Sequence, residues 1–154
     1  MHRSIAAKVQ DKRKRVQREA REQAALFRQT AEMCRYMPAQ YPGLDLMFAI
    51  PNGAFLQGDR ERRARQWARL KAQGAKEGVS DILLPVARGP YHGLWIEMKA
   101  PEPHDAPVTG EQRAWQMAAI AQGYDAHVAR GTAQAISIIE SYYSNGPFHE
   151  HVTD

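Results

Sequence analysis

The sequence predicts a single α/β domain: a mixed β-sheet flanked by helices. Three observations carry this expectation. Apolar periodicity runs in the order helix, strand, helix, strand, strand, helix, strand, helix. The two central strands are joined by a turn short enough for a hairpin, and the last two by a helix, as parallel strands require. The chain has 154 residues, 44% hydrophobic and 25% charged, enough for one globular unit with its own core.

Residues from Ala6 to Met37 read as one long helix, free of Gly and Pro until Pro38. Its polar first part, 1–18, is expected to be a basic extension, and apolar spacing strengthens from Glu19 onward. Cys34 falls in the apolar row as small core filler. Gln40-Tyr-Pro-Gly43 is turn chemistry. Leu44 to Ile50 reads as a buried strand ended by a turn at Pro51-Asn52-Gly53. Gly58-Asp59 starts a basic helix, Arg60 to Gln73, that Gly74 stops. Ile82 to Val86 and Leu94 to Lys99 are strands on either side of the Ala87–Gly93 turn. The three prolines between Ala100 and Val108 demand a loop. Thr109 opens a helix closed by Gly123, Asp125 to Arg130 is a short strand, and Thr132 to Tyr143 a last amphipathic helix. The polar segment 144–154 is expected to be loose.

Composition narrows the function classes. No apolar run approaches the roughly 18 residues of a membrane span, and no apolar stretch follows the basic N-terminus as in a secretory signal. One cysteine excludes an internal disulfide framework and fits a reducing, cytoplasmic setting. The six histidines show no zinc spacing with Cys34. His92, in the hairpin turn, reads as structural. Net charge is +4, but the basic residues are clustered. One block runs from Lys12 to Arg21, and a second comprises Arg60, Arg62, Arg63, Arg65, Arg69, Lys71 and Lys76. Such blocks suit a phosphate backbone, but a solvated helix face is the more ordinary reading of any single charge run.

The chemistry-bearing segment is Leu94-Trp-Ile-Glu-Met-Lys99. Strand alternation puts Trp95, Glu97 and Lys99 on one face and Leu94, Ile96 and Met98 on the other. The hairpin allows Asp81 to lie across from Glu97. Two carboxylates this close repel unless neutralised, and a hard divalent cation such as Mg²⁺ or Mn²⁺ does that with oxygen ligands. Spacing alone leaves a second reading open, with strand-end carboxylates and Lys99 as their ion-pair partner or an edge gatekeeper.

Gly78-Val-Ser-Asp81, followed after 15 residues by Glu97-Met98-Lys99, resembles the PD-(D/E)XK nuclease signature. More narrowly, the chain resembles the VRR-NUC (virus-type replication-repair nuclease) family over about 19–143. The matching pieces are Glu19 to Phe27 (with REQAALF at 21–27), Phe48-Ala-Ile-Pro-Asn-Gly53, Leu70 to Gly74, KEGVSDILL at 76–84, YHGLWIEMK at 91–99, Gln112 to Trp115 and Gly123-Tyr124. Ser80 departs from the family's usual proline. The resemblance implies a restriction-endonuclease-like fold and a Mg²⁺- or Mn²⁺-dependent DNA endonuclease. Asp81 and Glu97 would be metal ligands with the Met98 carbonyl, and Lys99 the catalytic lysine. Gln112 would join the site from the following helix. It also has capping-box spacing with Thr109, and one side chain is not expected to serve both roles easily. The family's acidic residue on the first helix maps to Glu19, with Glu22 as the alternative. Asn52-Gly53 is expected to form a tight turn. Free-standing relatives of this size resemble phage or bacterial junction-cleaving enzymes, so branched DNA such as a Holliday junction is the expected substrate. A symmetric junction suits a homodimer. The competing functions are a non-catalytic nucleic-acid-binding module on the same fold and a scaffold whose basic helices face solvent.

Overall fold

A computed structural model describes residues 4–51 and 56–149. The turn expected at Asn52-Gly53 and the last five residues lie outside them. Ser4 caps the first helix, α1 (Ile5–Tyr36), by accepting from the Ala7 amide. Only the second part of α1 is anchored, with Leu26, Thr30 and Met33 buried, whereas Ile5, Val9 and Val16 are exposed.

The expected strand from Leu44 to Ile50 is largely absent. Gly43, at φ 78°, turns the chain into a short 3-10 turn (Leu44–Leu46), and only β1 (Phe48–Ala49) is extended. The reason is visible in the burial. Leu44 and Met47, three residues apart, point into the core while Leu46 and Phe48 are exposed, which matches three residues per turn. An unbroken apolar run does not distinguish this from a strand.

Asp59 caps α2 (Arg60–Ala72) through the Arg62 amide at 2.8 Å. No residue of α2 is fully buried. Next come β2 (Ile82–Leu84), cut short of Val86 by Pro85, which has no N–H to offer, and β3 (Leu94–Lys99). They are followed by α3 (Gly110–Ala121), β4 (Asp125–Arg130) and α4 (Thr132–Tyr143).

The sheet order is β1-β2-β3-β4. The first two pairs are antiparallel and the β3–β4 pair parallel, the mixed α/β sheet expected. Ile82 pairs with Ile96 and Leu84 with Leu94; these four are fully buried with Leu26, Ala135 and Ile139, beneath α1 and α4. The opposite face lies under α3, where Trp95 meets Trp115 edge-on at 5.5 Å. Residues 144–149, expected to be loose, fold back onto the β2–β3 turn. Pro147 bridges Arg88, Gly89 donates to the Gly146 carbonyl, and His149 donates to the Gly89 carbonyl. Among the described residues, no helix is long and apolar enough to cross a membrane.

Candidate active site

The hairpin register brings the sequence-predicted residues together. Continuing the Ile82–Ile96 pairing by one residue sets Asp81 opposite Glu97. Asp81 takes over the end of the ladder twice. Its carbonyl accepts from the Ile50 amide at 2.7 Å, and its Oδ2 from the Met98 amide at 2.7 Å. Met98 thus turns its backbone polar groups toward Asp81, while the Lys99 carbonyl turns the other way to accept from Gly131.

Glu97 and Lys99 are 3% and 5% exposed, an uncommon burial for either residue type. The Lys99 ammonium lies 3.5 Å from Glu97 Oε1. Burial pushes the Glu97 carboxyl up to about 8, and the Asp81 charge adds to the shift against the opposing pull of Lys99. Glu97 Oε2 is buried with no hydrogen-bond partner among the described residues. A buried carboxylate oxygen without a partner is costly.

Gln112 joins Glu97 and Lys99. Its Nε2 donates to Glu97 Oε1, while its Oε1 accepts from Lys99 Nζ at 3.0 Å and from the Thr109 amide at 2.9 Å. Thr109 Oγ1 in turn accepts from the Gln112 amide at 3.2 Å. The full capping box therefore coexists with the site contacts, against the expectation that one side chain would not serve both. An amide makes this compatible, because its oxygen takes two donors while its nitrogen reaches elsewhere.

On α1, Glu19 and Glu22 have different surroundings. Glu19 is close enough to Lys99 and Asp81 to feel both charges and hydrogen-bonds to the Ala100 amide; burial raises its pKa. Glu22 Oε2 instead accepts from the Thr132 amide at 2.7 Å and from the Thr132 hydroxyl. The N-cap of α4 is Gly131, which has no side chain to offer, so Glu22 supplies both the acceptor and the negative charge that a helix N-terminus favours. Glu22→Ala is expected to lower stability by about 1–2 kcal/mol with little effect on chemistry. Glu19→Ala is expected to lower activity with a smaller effect on stability; thermal melts and an activity assay separate the two.

Gly78 holds the Asp81 segment against α3. Its φ is 82°, and a Cβ there would sit 2.3 Å from the Glu111 carbonyl oxygen and 2.8 Å from the Gln112 amide nitrogen. Backbone cannot swing aside as a side chain can. Gly78→Ala is expected to cost at least about 2 kcal/mol and to separate Asp81 from Gln112, seen as a lower melting temperature together with lost activity.

These groups open onto a cleft of about 540 Å³ lined by Leu56, Trp67, Lys76, Val79, Asp81, Glu97 and the first turn of α3. Arg60, Arg62, Arg63, Arg65, Arg69 and Lys71 are exposed along α2, and Lys76 is exposed at the cleft. Trp67, Glu77 and Thr109 also line the cleft, a role that no sequence motif marks. Gln66, Trp67 and Leu70 are the half-buried members of an otherwise exposed basic helix, and their i, i+1, i+4 spacing was the available signal.

The profile of the VRR-NUC domain matches residues 17–133. This chain belongs to the VRR-NUC family. A solved structure titled "VRR_NUC domain protein" is similar at a TM-score of 0.65 and 27% identity, covering 85% of this chain and 92% of that one. Among curated proteins no relative matches significantly. The VRR-NUC assignment makes this a nuclease-type domain, for which DNA is the implied substrate, and the region matched contains Glu19, Asp81, Glu97, Lys99 and Gln112.

Among the described residues, no group of three or more His, Cys, Asp or Glu side chains could hold a metal. A hard cation still fits Asp81 and Glu97. Mg²⁺ takes one or two carboxylates and fills its shell with water and substrate phosphate oxygens, and Glu97 Oε2, without a partner among the described residues, is an oxygen donor in need of such a cation.

Proposed function

We propose that this protein is a Mg²⁺- or Mn²⁺-dependent DNA endonuclease that hydrolyses phosphodiester bonds at the Asp81–Glu97–Lys99–Gln112 centre. The single observation that carries this reading is the buried Glu97, with its unpartnered Oε2 and its Lys99 and Gln112 contacts, at the edge of an open cleft. The metal, held by Asp81, Glu97 and the Met98 carbonyl, would supply Lewis-acid stabilisation and a water acidic enough to attack at neutral pH.

The remaining work falls to the chain itself. Lys99, held by Gln112 and Glu97, positions a cation for the charge that develops on the phosphate. Gln112 fixes the Lys99 and Glu97 rotamers from a capped helix end. Glu19 brings a carboxyl group from α1 within electrostatic range of Lys99 and Asp81. The arginines of α2 contact phosphates away from the cut, so binding weakens as salt rises.

Branched DNA of the Holliday-junction type, resolved by a homodimer, is the substrate and assembly we favour, because two equal incisions need two equivalent sites. The test is labelled linear, nicked and four-way DNA incubated with Mn²⁺, Mg²⁺ or EDTA, with the incisions mapped. Symmetric, metal-dependent cuts in four-way DNA are expected. Salt-sensitive binding without cleavage would favour a non-catalytic module, and a monomer with and without DNA would remove the paired-site reading.

A further inference from the structure

Trp67 stands in the cleft, yet neither the metal nor the phosphate chemistry uses it. It shares the cleft with Asp81, Glu97 and Gln112, with the apolar side chains of Leu56 and Val79 nearby. Its orientation is held from two sides. The indole Nε1 donates to Glu77 Oε1 at 3.0 Å, and the Lys71 ammonium lies 5.8 Å from the ring centroid. An aromatic surface beside a candidate phosphodiester-cutting centre is suited to a nucleobase, because every base has a π-face. The space is within the range of small-ligand clefts.

A base in an intact duplex is already stacked on both sides and does not reach an indole beside the carboxylates. An unpaired base does, at a much lower unstacking cost. We propose that Trp67 is a stacking platform for the nucleobase next to the reacting phosphodiester, so the cleft takes DNA with an unpaired nucleotide at the cut in preference to a fully paired step. This rests on the nuclease reading and not on the four-way-junction preference, since the bases of a four-way junction are paired and one at the branch point must unstack before it reaches Trp67. Lys71, over the ring, places a cation near the backbone of the same nucleotide.

The test uses three DNAs of one sequence: fully paired, single-stranded, and duplex with one unpaired 2-aminopurine. Wild type, Trp67→Phe and Trp67→Ala are compared. With Ca²⁺ in place of Mg²⁺, 2-aminopurine fluorescence reports stacking independently of hydrolysis. Wild type is expected to quench it, Trp67→Phe to retain most of the quench, and Trp67→Ala to lose it. In Mg²⁺, Trp67→Ala should lower the ratio of unpaired to paired cleavage about 10-fold. Equal loss on all three DNAs, or a quench that survives Trp67→Ala, would overturn the proposal and leave Trp67 as the anchor of α2. Quenching that depends on Trp67 in a protein that cuts none of the DNAs would instead sink the nuclease reading and keep the platform.

Discussion

Replacing Lys99 by alanine is expected to lower DNA cleavage by about 10²–10³-fold while leaving DNA affinity near the wild-type value. The magnitude is that of removing one preorganised group from where negative charge develops. Affinity should persist because the proposed backbone contacts are the exposed arginines of α2 rather than this buried ammonium. Lys99→Arg should restore little. The ammonium sits against Glu97 Oε1 and Gln112 Oε1 in a site only 5% exposed, and a planar guanidinium has a different shape and hydrogen-bond fan. Single-turnover cleavage and anisotropy of labelled DNA measure the two quantities. Wild-type cleavage by Lys99→Ala would move the catalytic centre elsewhere.

The second large effect concerns stability and pH. Without metal, the folded protein holds the Glu97 proton up to about 8, against an ordinary 4.5. Below 4.5 the folded and unfolded chains are both protonated and Glu97 imposes no penalty. Between these values the unfolded chain gives up the proton and the folded chain keeps it. Stability therefore falls as pH rises, by at most about 1.4 kcal/mol per pH unit, and levels off above about 8. Glu97→Gln removes this pH dependence. In EDTA the variant should be more stable than wild type at pH 8, and the gap should shrink toward pH 5, where denaturant melts can follow it. A constant gap would mean that Glu97 is not the strained group. A protein stabilised by removing a buried charge from its proposed centre fits a site arranged for function at the expense of the fold.

How much of this could be read in advance depended on the range of the interaction. The ends of β3, β4 and α4 followed from the residues alone, since alternation and the flanking Gly93, Gly123 and Gly131 are local signals. Strand alternation and a short hairpin also sufficed to put Asp81, Glu97 and Lys99 together. The run from Leu44 to Ile50 misled because an apolar stretch carries no sign of whether it turns, and the left-handed Gly43 decided that it does. Glu19 and Glu22 differ by less than one helical turn, so no pattern along α1 separates them. Only the positions of Lys99 and Thr132, brought in from distant strands and helices, give them different surroundings. The double engagement of Gln112 was concealed for the same reason. Capping is written in Thr109-x-x-Gln112, whereas its reach to Glu97 requires the packing of α3 on β3. Trp67 is the extreme case, since its position in the cleft depends on α2, an element with no fully buried residue.

The central claim is that Asp81 and Glu97 form a metal site whose ligand must first lose a proton. The most direct measurement is a calorimetric titration of Mn²⁺ into the protein at pH 7, in two buffers of different ionisation enthalpy. Metal binding displaces protons from its ligands. Wild type is expected to bind Mn²⁺ and release close to one proton, with release fading above pH 8, and Glu97→Gln to bind at least about 10-fold more weakly without that release. Equal Mn²⁺ affinity in wild type and Glu97→Gln would contradict the account.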